Sequence, residues 1–288
     1  MKALVLCSGG DAPGMNYCVY SLVKSAKKFD FYGAIAGFKG LIENNFVMLS
    51  KKECEKYKNF SGAFIKTSRC PEFKTKKGVE AAVKNIKNNG FDCVIVLGGD
   101  GTYKGCVELA KKGVNVIFIP ATVDRDLNYE TYSIGFLSAV HICSQYIVKV
   151  MNSFSSLDRT GVFEVMGRHN SSICKTVARA INADCYICSE NIKDFDVKQI
   201  DPTKPHQVIV LQENLLNLND FCENLEKHLK SEVRGCVIGY LQRGIDPTKQ
   251  EKQICQVFAK VAIKLILKNQ FNHAISLNDN SIKIVDLI

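Results

Sequence analysis

Short, almost wholly apolar runs alternate along this chain with longer stretches whose apolar positions recur every three or four residues. The runs Ala3–Cys7, Phe31–Ala36, Cys93–Leu97, Val114–Ile119, Gly161–Val165, Cys185–Cys188, Gln207–Leu211 and Gly235–Leu241 predict strands. The periodic stretches Met15–Lys28, Gly78–Asn88, Thr102–Lys112, Ile134–Met151, Ser171–Ile181, Asp220–Ser231 and Lys249–Leu267 predict helices between them. Apolar strands separated by helices imply parallel sheets covered on both faces, because each crossover lays a helix over the sheet. The fold class is therefore α/β. Periodicity breaks most clearly at Pro120 and the polar segment Thr122–Thr131, where a lobe boundary is expected, and again near Gly239–Pro247.

Size and charge narrow the possibilities. At 288 residues, 46% of them hydrophobic, the chain suits one large or two moderate domains. It has no continuous apolar stretch long enough to cross a bilayer, so no membrane association is expected. Met1–Cys7 is too short for a signal peptide and predicts a first buried strand, which points to a cytoplasmic location. The 13 cysteines are scattered singly, many inside apolar runs, as small hydrophobes of a reducing compartment are. Cys185 and Cys188 have the spacing of a metal knuckle, but no second pair matches them, so zinc is not expected. A net charge of +9 fits either a nucleic-acid surface or a lysine-rich solvated surface with a few arginines around anionic substrates. The lysines recur in ones and twos (Lys24, Lys27, Lys28; Lys84, Lys87) without a dense basic block, which favours the second and argues against nucleic acid.

Candidate chemistry follows several strands in turn, where parallel sheets bind ligands. Ser8-Gly9-Gly10-Asp11-Ala12-Pro13-Gly14-Met15-Asn16 could let backbone N–H groups approach a phosphate, or could be an ordinary turn into a helix. Leu97-Gly98-Gly99-Asp100-Gly101-Thr102 sets a carboxylate at a strand end, where it can hold Mg²⁺. It misses the dinucleotide fingerprint, since the next glycine is Gly105, and the chain has no Walker A motif. Pro120-Ala121-Thr122-Val123-Asp124-Arg125-Asp126 flanks an arginine with two acids; one could accept a proton and the other assist a metal, or the whole could be a solvated acidic turn. Glu164-Val165-Met166-Gly167-Arg168 and Gly239-Tyr240-Leu241-Gln242-Arg243-Gly244 each put an arginine past an apolar strand, where a guanidinium can capture phosphate.

In this order and at this spacing, the segments SGGDAPGMN, GGDGT, TVDRD, EVMGR and GYLQRG resemble the 6-phosphofructokinase family, ATP-dependent and bacterial in type. Arg69-Cys70-Pro71-Glu72-Phe73 is similar to that family's arginine-containing loop. The resemblance runs from residue 1 to at least Asp246, and the chain ends at Ile288, short of the family's closing segment. It implies two lobes, each a mainly parallel sheet sandwiched by helices: residues 1–134 with 242–288 for the nucleotide, and 135–241 for the sugar phosphate. It implies transfer of a phosphoryl group from ATP, with Mg²⁺, to the 1-hydroxyl of fructose 6-phosphate, giving fructose 1,6-bisphosphate in glycolysis. Asp124 would accept the hydroxyl proton beside Thr122 and Asp126, and Asp100 would bind Mg²⁺. Gly10, Arg69, Cys70, Gly99, Gly101 and Thr102 would line the nucleotide, with Phe38 against its base. Met166, Gly167, Arg168 and Glu213 would contact the sugar, and Arg168 would also serve the catalytic step. Arg159, Arg234 and Arg243 would hold the 6-phosphate, with Tyr240 in place of a frequent histidine. In the family the counterparts of Arg159 and Arg234 reach in from a neighbouring subunit, which implies a homo-oligomer, tetramer or dimer.

Two small residues favour ATP as donor. The pyrophosphate-dependent branch carries Asp at the Gly101 position and Lys at the Ala121 position. The family usually has Asn where this chain has Arg125, and a cation beside Asp124 should either weaken it as a base or offset phosphoryl charge. Tyr20 and Met151 stand where effector-binding arginines are expected, while Lys24, Lys204 and Asp184 keep charge there, so a weak or altered response to ADP and phosphoenolpyruvate is expected. These departures motivate an alternative: a weak or inactive regulatory paralogue that binds nucleotide and sugar phosphate.

Overall fold

The computed structural model describes residues 1–127, 129, 132–278 and 281–288. Its strands are β1 (Lys2–Cys7), β2 (Asp30–Ala34), β3 (Phe46–Met48), β4 (Cys93–Gly98), β5 (Val116–Thr122), β6 (Ile134–Gly135), β7 (Thr160–Val165), β8 (Cys185–Ile187), β9 (Val208–Gln212), β10 (Val233–Val237), β11 (His273–Asn278) and β12 (Ser281–Asp286). The α-helices are α1 (Met15–Ser25), α2 (Phe38–Ile42), α3 (Lys51–Tyr57), α4 (Lys76–Asn88), α5 (Asp100–Lys111), α6 (Phe136–Phe154), α7 (Ser172–Ile181), α8 (Leu218–Leu229), α9 (Leu241–Gly244) and α10 (Lys249–Leu267). The chain forms two units, Met1–Leu137 with Arg243–Ile288, and Ser138–Gln242. Part of the polar Thr122–Thr131 segment lies outside the described residues.

The first unit is built on a sheet ordered β12-β11-β5-β4-β1-β2-β3, with β6 beside β5. Its central strands are parallel, and the antiparallel pairs lie at the two edges, β2 with β3 and β11 with β12. β1 and β4 are buried along nearly their whole lengths, which accounts for their unbroken apolar sequence. On one face Leu4, Leu6, Val94, Val96 and Phe118 meet Phe38, Phe73, Val79, Ala82, Ile86 and Leu109. Burying each large side chain stabilises the unit by about 1.5–3 kcal/mol. Side-chain caps set helix starts: Thr75 Oγ1 accepts from Gly78 N at 3.1 Å before α4, and Thr248 Oγ1 accepts from Glu251 N at 3.2 Å before α10.

The second unit carries a parallel sheet ordered β10-β7-β9-β8. Val162, Ile187, Ile209 and Leu211 pack with Phe221, Leu225 and Leu229 of α8.

Three expectations need correction. The apolar run Gly235–Leu241 is strand only as far as Val237; Gly239 takes a positive φ of 55° and Leu241–Gly244 turn into a short helix. Val114 lies in the turn that closes α5, where its N–H donates to Leu109 O at 3.2 Å, so β5 begins later and runs on to Thr122. The β11–β12 hairpin was not expected, because β12 is mostly exposed and lacks the apolar run of a buried strand.

Candidate active site

In the first unit β1, β4 and β5 are neighbours, so the three segments that follow them share one sheet edge. Ser8 N–H donates to Leu97 O at 3.0 Å, and Thr102 Oγ1–H donates to Ser8 O at 3.1 Å, tying the first segment to the second. A β-carbon placed on Gly99 would lie 3.3 Å from Thr122 Cβ and 3.7 Å from Asp126 Oδ1, so the second segment touches the third. Asp124 is 4% exposed, and its N–H donates to Thr122 Oγ1 at 3.2 Å; Ser133 Oγ–H holds Thr122 O at 2.6 Å. Asp100 opens α5, a favourable place for a carboxylate at a helix N-terminus, and is paired with Lys104 at 2.6 Å. A β-carbon on Gly101 would meet nothing within 4 Å, so the chain itself does not require glycine there.

The loop bearing Arg69 is pinned to the same edge. Thr67 Oγ1–H donates to Gly9 O at 2.9 Å and Gly9 N–H to Ser68 O at 3.3 Å, leaving Arg69 exposed and Cys70 half-buried. Arg243 lies across the first segment: its guanidinium fills the space a β-carbon on Gly10 would take, and Nη1 is 3.9 Å from Asp11 Oδ1. Phe38 is different from expectation. Its ring is 4% exposed and stacked on Phe73 at a centroid distance of 4.0 Å, so it braces the core beneath the edge and offers no open face to a base. Arg125, with φ 51°, directs its guanidinium over Phe136 and Tyr132, 4.9 and 5.5 Å from the ring centroids. A residue expected to perturb Asp124 thus has an aromatic seat of its own.

The second unit assembles a separate cluster at the carboxyl ends of β7 and β9. Glu213 Oε1 accepts from Gly167 N at 3.0 Å and from Arg168 N at 2.9 Å. Met166 N–H donates to Gln242 Oε1 at 3.2 Å, and Gln212 Nε2–H donates to Arg168 O at 2.9 Å. Gly167 has φ 148°, and a β-carbon there would come within 2.5 Å of Asn170 O, so only glycine fits. Burial, and then the charge of Glu213, raise the Glu164 carboxyl above the usual range. Tyr240, 83% exposed, lies beyond β10 at this same end.

Arg159 and Arg234 are not with them. Arg159 directly precedes β7, and Arg234 is the second residue of β10, so both lie at the amino ends of strands whose carboxyl ends carry Met166 and Tyr240. At about 3.3 Å per residue along β7, the two sets are on the order of 20 Å apart within the unit. Both guanidiniums instead hold Glu232.

Several participants went unmarked in the sequence. Gln212 and Gln242 are fully buried amides that shape the Met166–Arg168 loop, and a polar residue closing an apolar strand was the available signal for Gln212. Glu232 had no signal beyond its place before a strand. At the positions expected to bind effectors, Tyr20 is flanked by Lys58 and Lys24, 4.9 and 5.7 Å from its ring centroid, and in the second unit Lys204 is paired with Asp184 at 2.6 Å. No helix among the described residues is long and apolar enough to cross a membrane.

A family model described as Phosphofructokinase matches residues 2–266. The chain is 34% identical over 296 residues to an ATP-dependent 6-phosphofructokinase of Clostridioides difficile, covering 100% of this chain and 92% of the relative. It is 32% identical over 289 residues to one of Macrococcus caseolyticus, covering 98% and 91%. Among solved structures it is similar to Pichia pastoris phosphofructokinase in the T-state, with TM-score 0.89 and 22% identity, covering 99% of this chain but only 35% of that longer one. It covers 44% of the phosphofructokinase chain of Saccharomyces cerevisiae, at TM-score 0.86 and 21% identity. A pyrophosphate-dependent phosphofructokinase from Marinobacter aquaeolei matches with TM-score 0.85 and 16% identity, covering 99% and 82%. At these identities the structures share the fold.

Proposed function

The chain belongs to the phosphofructokinase family, and from that premise we propose that it is an ATP-dependent 6-phosphofructokinase, moving the terminal phosphoryl group of ATP to the 1-hydroxyl of fructose 6-phosphate. The observation that carries this reading is the shared edge of the first unit, where the segments holding Gly10, Asp100 and Asp124 follow three adjacent strands. Such an edge offers backbone N–H groups, a helix N-terminus and carboxylates to a polyphosphate and its counter-ion.

In this reading Asp124 takes the proton of the 1-hydroxyl as the oxygen attacks phosphorus. Its burial and the Thr122 bond fix the segment that carries it, so catalysis rests on position more than on covalent work. Gly10, Gly99, Gly101 and Thr102 border the nucleotide, with Arg69 and Cys70 from the adjoining loop. Arg243, lodged on Gly10, carries the third guanidinium expected to hold the 6-phosphate. Met166, Gly167, Arg168 and Glu213 frame the sugar, with Tyr240 from the segment that follows β10.

Asp100 and Asp126 are the residues that would hold Mg²⁺. Both border Gly99, and hard carboxylate oxygens suit an ion that commonly binds through one or two carboxylates plus phosphates and water. When bound, Mg²⁺ supplies charge neutralisation to the phosphates. The Lys104 pair on Asp100 is an exposed contact worth well under about 1 kcal/mol, so it does not bar a cation.

The separation of Arg159 and Arg234 from Met166–Arg168 within one unit supports a homo-oligomer in which a neighbouring copy receives them. The open space at Gly101 favours ATP over pyrophosphate as donor. No observation favours the inactive alternative. A coupled assay of the purified chain with fructose 6-phosphate and Mg²⁺, run with ATP and with pyrophosphate in parallel, tests the reading: turnover with ATP is expected, and turnover with pyrophosphate alone, or with neither, rejects it.

A further inference from the structure

Glu232 stands where two guanidiniums meet. It immediately precedes β10, and the parallel register of β10 with β7 sets Val233 beside Thr160, so Glu232 falls beside Arg159. Thr160 N–H donates to Glu232 O at 3.0 Å, which fixes the backbone of that corner. Arg234, two residues on, projects from the same face of the strand. The side chains complete the arrangement: Arg159 Nε–H donates to Glu232 Oε2, and an Arg234 Nη2–H donates to Glu232 Oε1. Each carboxylate oxygen thus takes one guanidinium. All three side chains are about a third to a half exposed, so the pairing is open to solvent and to ligands.

Two arginines held side by side repel each other unless a counter-ion lies between them. A guanidinium has five N–H donors, and each arginine gives Glu232 only one strong bond, so most donors stay available. We propose that Glu232 is a positioning residue: it neutralises and aligns Arg159 and Arg234 so that their remaining donors together present a preformed site for the phosphate of the sugar substrate. This rests on the proposed function. It assigns a role to a carboxylate that touches no substrate itself. The rival possibility is competition, in which Glu232 occupies the arginines and must be displaced by the phosphate; the two predict opposite signs.

The test is steady-state kinetics of Glu232→Gln and Glu232→Asp in the full chain. For Glu232→Gln, the KM for fructose 6-phosphate is expected to rise roughly tenfold with kcat within about twofold, the pattern of lost substrate binding. Glu232→Asp, which keeps the charge on a shorter arm, should fall between wild type and Gln. An unchanged or lowered KM in the Gln variant overturns the proposal, even if its Tm falls. So does an Asp variant no better than the Gln variant. If Glu232→Gln does not fold, the Asp variant decides alone: a raised KM supports the role and an unchanged one rejects it. Wild-type turnover reports separately on the proposed function. Should that turnover be absent, inorganic phosphate becomes the probe: it should raise the Tm of wild type more than that of the Gln variant, and equal shifts overturn the role of Glu232.

Discussion

The two units treat their candidate residues in opposite ways. In the first, three segments far apart in sequence come to one sheet edge and touch through Ser8, Gly99, Thr102 and Thr122. In the second, candidates that the resemblance assigns to one substrate are divided between the two ends of a single short sheet. Convergence in the first follows from parallel neighbours, whose carboxyl ends all point the same way. Division in the second follows from the same rule: a residue before a strand and a residue after it cannot meet. A single copy therefore gathers three segments at one edge of the first unit and keeps Arg159 and Arg234 apart from Met166–Arg168 in the second.

The largest effect should come from the shared edge of the first unit. Asp124→Ala is expected to lower kcat by on the order of 10²–10⁴ if it is the base, with folding intact by circular dichroism. Near-normal kcat would remove Asp124 from that role. The divided unit is best challenged by mixing two disabled chains. Asp124→Ala and Arg159→Ala homo-oligomers should each be nearly inactive, and co-expressed mixtures should regain activity, because one interface then carries both intact halves. A mixture no better than its parents would mean that each copy completes its own site.

Gly101→Asp comes next in size. The added β-carbon meets no protein atom within 4 Å, so Tm should hold, while the KM for ATP should rise roughly tenfold, a like-charge cost of about 1.4 kcal/mol. A fall in Tm would show that glycine is needed there for the fold. Gly167→Ala is expected to do the reverse, costing about 1–3 kcal/mol in urea unfolding because its φ of 148° and the nearby Asn170 carbonyl exclude a side chain. An unchanged unfolding midpoint would show that the Met166–Arg168 loop is looser than its hydrogen bonds to Glu213 and Gln212 suggest.

Much of this was legible in the sequence. Apolar runs such as Ala3–Cys7 and Cys93–Leu97 specified buried parallel strands, since only strands covered on both faces need no polar alternation. Glycines and acids immediately after them marked the edge, because their spacing from a strand end is a local property. Phe38, set against the nucleotide base by the resemblance alone, misled because residue type does not tell whether an aromatic ring faces a ligand or the core. Its stack on Phe73 is a contact between residues 35 positions apart. The run Gly235–Leu241 misled because a positive φ at Gly239 leaves no trace in hydrophobicity.

The sequence by itself determined the alternation of strand and helix, the glycine- and acid-bearing segments that follow the strands, and the family. All of these are carried by residue type and short-range order. Only the tertiary structure decided which segments share an edge, that Arg243 lies on Gly10, that Arg125 has an aromatic seat, and that Glu232 joins Arg159 to Arg234. Those outcomes depend on strand order and register, which bring together side chains tens to hundreds of residues apart and which no local pattern encodes.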